Sequence, residues 1–300
     1  MTGYEGPARV LVGYDGSRDA DAAVAFGVAE ARRRGAELAL VYAVDDIVFN
    51  SAWGVVFDPE EIKRGAERML DAVAAEIVAQ GVPKESIRAE VLLGAPAATL
   101  ARLSEWASLV VLGRCSDSNA KAFVGSTAVG VAGVARCPVI VVCADNTPPA
   151  TPYGRLGVAI SSAARGDRAS LPWVLGEARR LGAGLSVLSV CKAPQGRWFG
   201  GPVLTDEQQA DAVAVVRERV NAMVGAAREG FDDVDVDVDV SYGSPVDILV
   251  ARSESLDLLV VEVQPSFPVF AVGGVARGVM THARCPVALL RMKDARGASA

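Results

Sequence analysis

Arg9-Val-Leu-Val-Gly-Tyr14 returns 146 positions later as Arg155-Leu-Gly-Val-Ala-Ile160. Either stretch alone is a short apolar run of the kind that fills a buried strand. Four more matches follow in the same order. Ala31-Arg-Arg-Arg-Gly-Ala-Glu-Leu38 returns as Ala178-Arg-Arg-Leu-Gly-Ala-Gly-Leu185 at an offset of 147. Gly94-Ala-Pro96 returns as Gly243-Ser-Pro245, and Leu109-Val-Val-Leu112 as Leu258-Leu-Val-Val261, both at 149. Arg136-Cys-Pro-Val139 returns as Arg284-Cys-Pro-Val287 at 148. Ordered matches at a nearly constant offset mean an internal duplication. Between the copies runs Asp145-Asn-Thr-Pro-Pro-Ala-Thr-Pro-Tyr-Gly154, a short, stiff linker by its three prolines. The copies are placed at residues 1–146 and 153–293.

Within the first copy, Val/Leu/Ile runs near 8–14, 37–44, 87–92, 108–113 and 139–143 alternate with helical patterns near 19–34, 59–80, 96–106 and 126–135. Continuous apolar strands separated by helices require crossover connections and a parallel sheet covered on both faces. Each copy is therefore expected to be an open five-stranded α/β domain. Asp232-Asp-Val-Asp-Val-Asp-Val-Asp-Val240 alternates strictly, which predicts an edge strand with buried valines and solvated aspartates.

The composition narrows the functions. The 300 residues are 51% hydrophobic and 22% charged, enough for two real cores. No uncharged apolar run approaches the roughly 20 residues of a membrane span, since Arg136 and Glu262 interrupt the greasiest stretches. Neither a membrane partner nor an export signal is expected. Five cysteines without a CxxC pair read as reduced thiols of a cytoplasmic protein, and one histidine argues against a zinc site. A net charge of −6 repels a phosphate backbone, so nucleic acid is not an expected partner.

In open α/β sheets ligands bind beyond the carboxyl ends of the strands, where strand order reverses. The first strand ends in Gly13-Tyr14-Asp15-Gly16-Ser17. Asp15 could bind a ribose, an adenine amine or a magnesium ion, or, equally, Asp15 or Ser17 could simply cap the following helix. After the fourth strand, Gly113 and Arg114 lead through a loop containing Cys115, Ser116 and Lys121 to Gly125-Ser-Thr127. A glycine loop closing on such a helix start can aim N–H groups and hydroxyls at phosphate. It matches neither Walker A nor GxGxxG. His282 has no nucleophile and acid around it that would make a hydrolase triad, and no catalytic residue is assigned.

Taken together, the Asp-Gly-Ser turn, the glycine turn after strand four, the Gly-Ser helix start and the Arg-Cys-Pro-Val entry to strand five resemble the universal stress protein family, twice over. The resemblance implies a Rossmann-like, adenine-nucleotide-hydrolase-like sheet in the order 3-2-1-4-5, a cytoplasmic location and, in some members, ATP between strands one and four. ATP-binding members carry Gly-x-x-Gly, nine residues, then Gly-Ser/Thr. Here Ser116 stands at the second glycine and eight residues separate it from Gly125. By position, Asp15 and Ala43 would face adenosine, and Gly113, Arg114, Ser116, Gly125, Ser126 and Thr127 the phosphates.

The second copy departs further. Ser161 replaces the acid, Glu262 puts a carboxylate where phosphate would enter, and Pro265 lacks the N–H of a phosphate cradle. The expectation is a stress-response regulator that binds ATP or a related adenine nucleotide, with Mg2+, in its N-terminal domain only and without efficient turnover. The alternative is a protein-interaction module with both sites decayed. Apolar strand-five edges, Val139-Ile-Val-Val142 and Val287-Ala-Leu-Leu290, are expected to pair the copies as a pseudo-dimer, and a homodimer is possible. Aromatic residues after the second strand, Phe49, Trp53 and Phe57 with Trp198 and Phe199 in the repeat, read as packing cover or a lid.

Overall fold

Ser17 marks the start of the first helix: its backbone is extended and its hydroxyl accepts from the Ala20 N–H. Asp19 and Asp21 follow in the first turn and Arg32, Arg33 and Arg34 occupy the last, each charge suited to its end of the helix dipole. Gly35 then takes the left-handed conformation at φ 58° and closes the helix on Ala31 and Arg32. Helix α1 (Arg18–Arg34) thereby links β1 (Arg9–Gly13) to a parallel neighbour, β2 (Glu37–Val44).

The computed structural model describes residues 8–44, 59–115, 124–146, 153–161, 170–192, 204–263 and 272–291. Two compact units divide the chain, one built mainly from each half. The first continues with α2 (Pro59–Ala79), β3 (Ile87–Leu93), α3 (Pro96–Leu103), β4 (Leu109–Gly113), α4 (Ser126–Val134) and β5 (Val139–Val142). Its strands run in the order β3-β2-β1-β4-β5, and each neighbouring pair is parallel. The chain winds outward from β1 to β3, then returns to lay β4 on the other side of β1. That reversal opens the crevice between the carboxyl ends of β1 and β4.

Val10, Val12, Leu38, Leu40, Val110 and Ile140 are buried at the centre of the sheet. All four residues of β5 and the first four of β4 are buried too, as expected where helices cover both faces. The outer strand β3 exposes Arg88, Ala89 and Glu90.

The second unit repeats the plan with β6 (Arg155–Ile160), α5 (Ser170–Leu181), β7 (Gly184–Lys192), α6 (Asp206–Ala227), β8 (Val236–Gly243), α7 (Pro245–Arg252), β9 (Leu258–Val263), α8 (Gly274–His282) and β10 (Val287–Arg291). Its order is β8-β7-β6-β9-β10, with β7 and β9 parallel to β6 and β8 parallel to β7. Leu156, Val158, Leu185, Val187, Leu259 and Val260 form its centre. The α/β fold read from the duplicated sequence is the fold observed.

One joint is chemically identical in the two units. Buried Ser104 donates to the Ala101 carbonyl (2.5 Å) and accepts from the Arg136 N–H (2.9 Å). Buried Ser253 does the same between Val250 (2.6 Å) and Arg284 (2.8 Å). Each serine ties the end of the third helix to the Arg-Cys-Pro entry of the fifth strand.

The aspartate-valine stretch forms the outer strand β8 as expected, with Asp233, Asp235 and Asp237 exposed, but it starts later than the alternation suggests. The strand begins at Val236, opposite Leu185 of β7, whose N–H donates to the Asp235 carbonyl at 2.8 Å. Residues 232–234 turn, and Val234 is buried there. The aspartates are also ion-paired. Arg155 binds Asp235 (2.5 Å) and Asp237, Arg179 binds Asp233 (3.2 Å), and Arg252 binds Asp239 (2.6 Å).

Candidate functional site

In the first unit the reversal crevice is a cleft of about 460 Å³. The end of β1 supplies Gly13, Tyr14 and Asp15, the end of β2 supplies Val41 to Val44, and Gly113, Arg114 and Cys115 come from the end of β4. The start of α4 contributes Gly125, Ser126, Thr127 and Ala128. Of the residues singled out in the sequence, Asp15, Ala43, Gly113, Arg114, Gly125, Ser126 and Thr127 thus share one cleft. Ser116 and Lys121 lie outside the described residues, as do the aromatic residues Phe49, Trp53, Phe57, Trp198 and Phe199.

Asp15 is exposed, and its Oδ1 accepts from the Ser17 N–H at 3.0 Å. The helix cap is Ser17, one of the two residues read as capping it, and Asp15 holds the Ser17 N–H just before the helix. Beside it, Tyr14 is buried and donates its hydroxyl to Asp21 (2.9 Å). Burial and that bond push the phenol up to about 12, so it stays a neutral donor.

The start of α4 is chemically incomplete. Gly125 precedes it in the capping position, no side chain caps it, and no acidic residue stands in its first turn. The positive end of the helix, with the first-turn N–H groups at Ser126, Thr127 and Ala128, therefore meets the cleft without an anionic partner among the described residues. The Gly125 N–H is already committed, donating to the Arg114 carbonyl at 2.8 Å.

Gly113 has a packing reason to be glycine. A Cβ there would stand 2.7 Å from the Asp19 carbonyl carbon and 2.9 Å from the Ala20 nitrogen, both backbone atoms. The first turn of α1 presses directly on the end of β4, and only glycine leaves room. Asp19 holds this contact from the other side. Its Oδ2 accepts from the Cys115 N–H (3.1 Å) and its Oδ1 from the Ala144 N–H (2.8 Å). Sequence reading missed Asp19, and its partners 96 and 125 residues away leave no local signal.

A model of the universal stress protein family matches residues 7–142 and, separately, residues 152–291. The chain belongs to that family. A universal stress protein of Mycobacterium tuberculosis (strain H37Rv) is 27% identical over 294 residues, covering 94% of this chain and 96% of the relative. One from Thermus aquaticus is 36% identical over 136 residues, 44% of this chain but 96% of its own length. In fold, the universal stress protein structure from Archaeoglobus fulgidus covers 95% of this chain and 97% of its own, with a TM-score of 0.65 at 20% identity. The duplicated α/β plan is thus shared with other members of the family.

The second family domain handles the same positions differently. At the end of β9, Glu262 occupies the place of Gly113, and the buried Ser170 of α5 donates its hydroxyl to that carboxylate. Ser161 at the end of β6 is exposed and replaces Asp15. Residues 264–271, which include Pro265, lie outside the described residues.

The cysteines are free thiols. Burial pushes those of Cys137 and Cys285 up to about 12 and raises those of Cys143 and Cys191. No helix among the described residues is long and apolar enough to cross a membrane, and no group of three or more His, Cys, Asp or Glu residues there could hold a metal ion.

Proposed function

We propose that the first unit binds ATP or a related adenine nucleotide in the crevice between β1 and β4 and acts as a stress-response regulator rather than as an efficient enzyme. The observation that carries this reading is the uncapped start of α4, which opens on a cleft of about 460 Å³ holding Asp15 and Arg114. That volume falls within the roughly 300–1,000 Å³ of small-molecule sites. Triphosphate oxygens would accept from the first turn of α4 and from the Ser126 and Thr127 hydroxyls, and Arg114 adds positive charge. Ala43 and its neighbours supply an apolar wall for the base. Mg2+ fits as an ion carried by the phosphates, since one carboxylate at the cleft suits a cation that keeps most of its waters.

Among the described lining residues Asp15 is the only carboxylate, and it already accepts from Ser17. A base for water activation with a second acid beside it is not assembled there, which supports binding without efficient turnover. In the second unit, Glu262 in place of Gly113 supports restricting the ligand to the first. Free thiols support a cytoplasmic setting, and apolar β5 and β10 at one edge of each unit's own sheet support pairing through those strands.

A second reading has its own observation. Gly113 is required by helix packing and the Gly125 N–H is bound to Arg114, so both glycines have reasons unrelated to phosphate. On that reading the protein is a non-nucleotide interaction module with both sites decayed. Titration calorimetry and thermal melting with Mg-ATP separate the two. At a hundredfold excess over Kd, binding is expected to stabilise the first unit by about 2.7 kcal/mol, a shift of several degrees. Asp15→Ala should weaken it. Neither heat nor a shift at saturating Mg-ATP would leave the interaction module as the reading.

A further inference from the structure

Asp19 uses one carboxylate to hold two distant pieces of the first unit. One oxygen takes the N–H of Cys115, where the chain leaves β4 for the loop that leads to α4. The other takes the N–H of Ala144, the first residue of the 3-10 turn Ala144–Asn146 after β5. Beyond that turn the chain runs on towards the second copy. The end of β4 at the cleft and the start of the connecting segment thus share one anchor.

The anchor has little slack. Asp19 belongs to the same helical turn that a Cβ at Gly113 would strike at 2.7 Å, so the end of β4 and the start of α1 are in direct backbone contact. Arg114 adds a second tie between the strands, its N–H donating to the Val142 carbonyl at 2.7 Å. A displacement at Cys115 is therefore felt at Asp19 and at the Arg114–Val142 bond, and both lead to the end of β5. Tightly packed contacts of this kind pass on small shifts instead of absorbing them.

We propose that Asp19 is a positioning residue that couples occupancy of the β1/β4 cleft to the start of the interdomain segment at Ala144. This rests on the nucleotide reading of the cleft. Asp19 does not line the cleft, so it acts through Cys115 and not by touching the ligand. When phosphate engages the start of α4 beside Cys115, the Asp19 carboxylate carries the change from the Cys115 amide to the Ala144 amide. An amide at this position would not do the same work: asparagine offers one acceptor oxygen and turns an NH2 group toward the other N–H.

Hydrogen exchange of the full chain, followed by mass spectrometry with and without Mg-ATP, tests this. Without nucleotide, Asp19→Ala should speed exchange together in peptides covering Cys115 and Ala144. In wild type, Mg-ATP should slow exchange at both. In Asp19→Ala, binding should weaken by about tenfold, as for loss of a charge-assisted hydrogen bond. At saturation its Cys115 peptide should still be protected while the Ala144 peptide no longer responds. Asp19→Asn should keep part of the response.

If wild type binds Mg-ATP by calorimetry but residues 143–146 do not respond, the coupling is overturned and the nucleotide reading stands. The coupling is likewise overturned if residues 143–146 respond equally in Asp19→Ala. If wild type gives no heat, the nucleotide reading falls and the coupling falls with it.

Discussion

Where the third helix meets the fifth strand, the two units use the same buried serine for the same two bonds; where the fourth strand ends, one has Gly113 and the other Glu262. The first location carries only the sheet and its cover, and any change there leaves a buried polar group without a partner. The second lies at the mouth of the crevice, where the same backbone plan tolerates either an open cleft beside a closely approaching helix or a side chain satisfied by Ser170. Duplication has thus preserved the joint and let the opening vary.

Exchanging the divergent residues is the strongest attack on this comparison. Gly113→Glu drives a side chain into the backbone of Asp19 and Ala20, and should destabilise the first unit by about 3 kcal/mol while abolishing any Mg-ATP response. Urea melts and calorimetry read the two effects. Normal stability with the glutamate in place would show that α1 can retreat, and Gly113 would then need another explanation. The reciprocal Glu262→Gly strands the buried Ser170 hydroxyl, at a cost of about 1–3 kcal/mol to the second unit.

The joint should behave symmetrically. Ser104→Ala and Ser253→Ala each remove an acceptor from a strand-entry N–H and should each cost about 1–2 kcal/mol, seen as matching drops in melting temperature of the respective unit. A large difference between them would mean that the shared geometry hides unequal surroundings.

The smallest effect concerns Glu30, which precedes the arginines that end α1. Burial alone would raise Glu30, but Arg34 and Arg33 outweigh it and hold the carboxyl below its ordinary value of 4.5. A carboxyl lowered in the folded state binds fewer protons there than when unfolded. Its stabilisation is therefore complete above the ordinary carboxylate range and is lost as pH falls through the lowered value. Wild type should exceed Glu30→Gln by about 1 kcal/mol at neutral pH, and the gap should close on acidification. A gap unchanged down to pH 2 would refute the ion-pair account. At the corresponding position of the other unit, Glu177 pairs with Arg180 at 2.6 Å.

The alternation of apolar runs with helical patterns and the order of the repeats made the α/β plan legible in the sequence, because burial on both faces leaves an uninterrupted apolar signature. Positions at the carboxyl ends of strands were legible for the same reason: once the strands are placed, Asp15, Gly113 and Gly125 can be assigned to one end of the sheet. Their individual reasons were not. Gly113 reads as a ligand glycine until the backbone of Asp19 is seen against it, and Asp19 itself reads as one more acid in a helix start. The stretch from Asp232 was legible as an outer strand, with only its start misplaced, since alternation reveals a face but does not reveal where the neighbouring strand begins.

The missing cap on α4 has an evolutionary consequence. Replacing Gly125 by serine or aspartate would supply an internal acceptor and strengthen the helix by a few tenths of a kcal/mol, while putting that acceptor where an anion would sit. On the nucleotide reading, selection for stability and selection for ligand pull in opposite directions at a single codon.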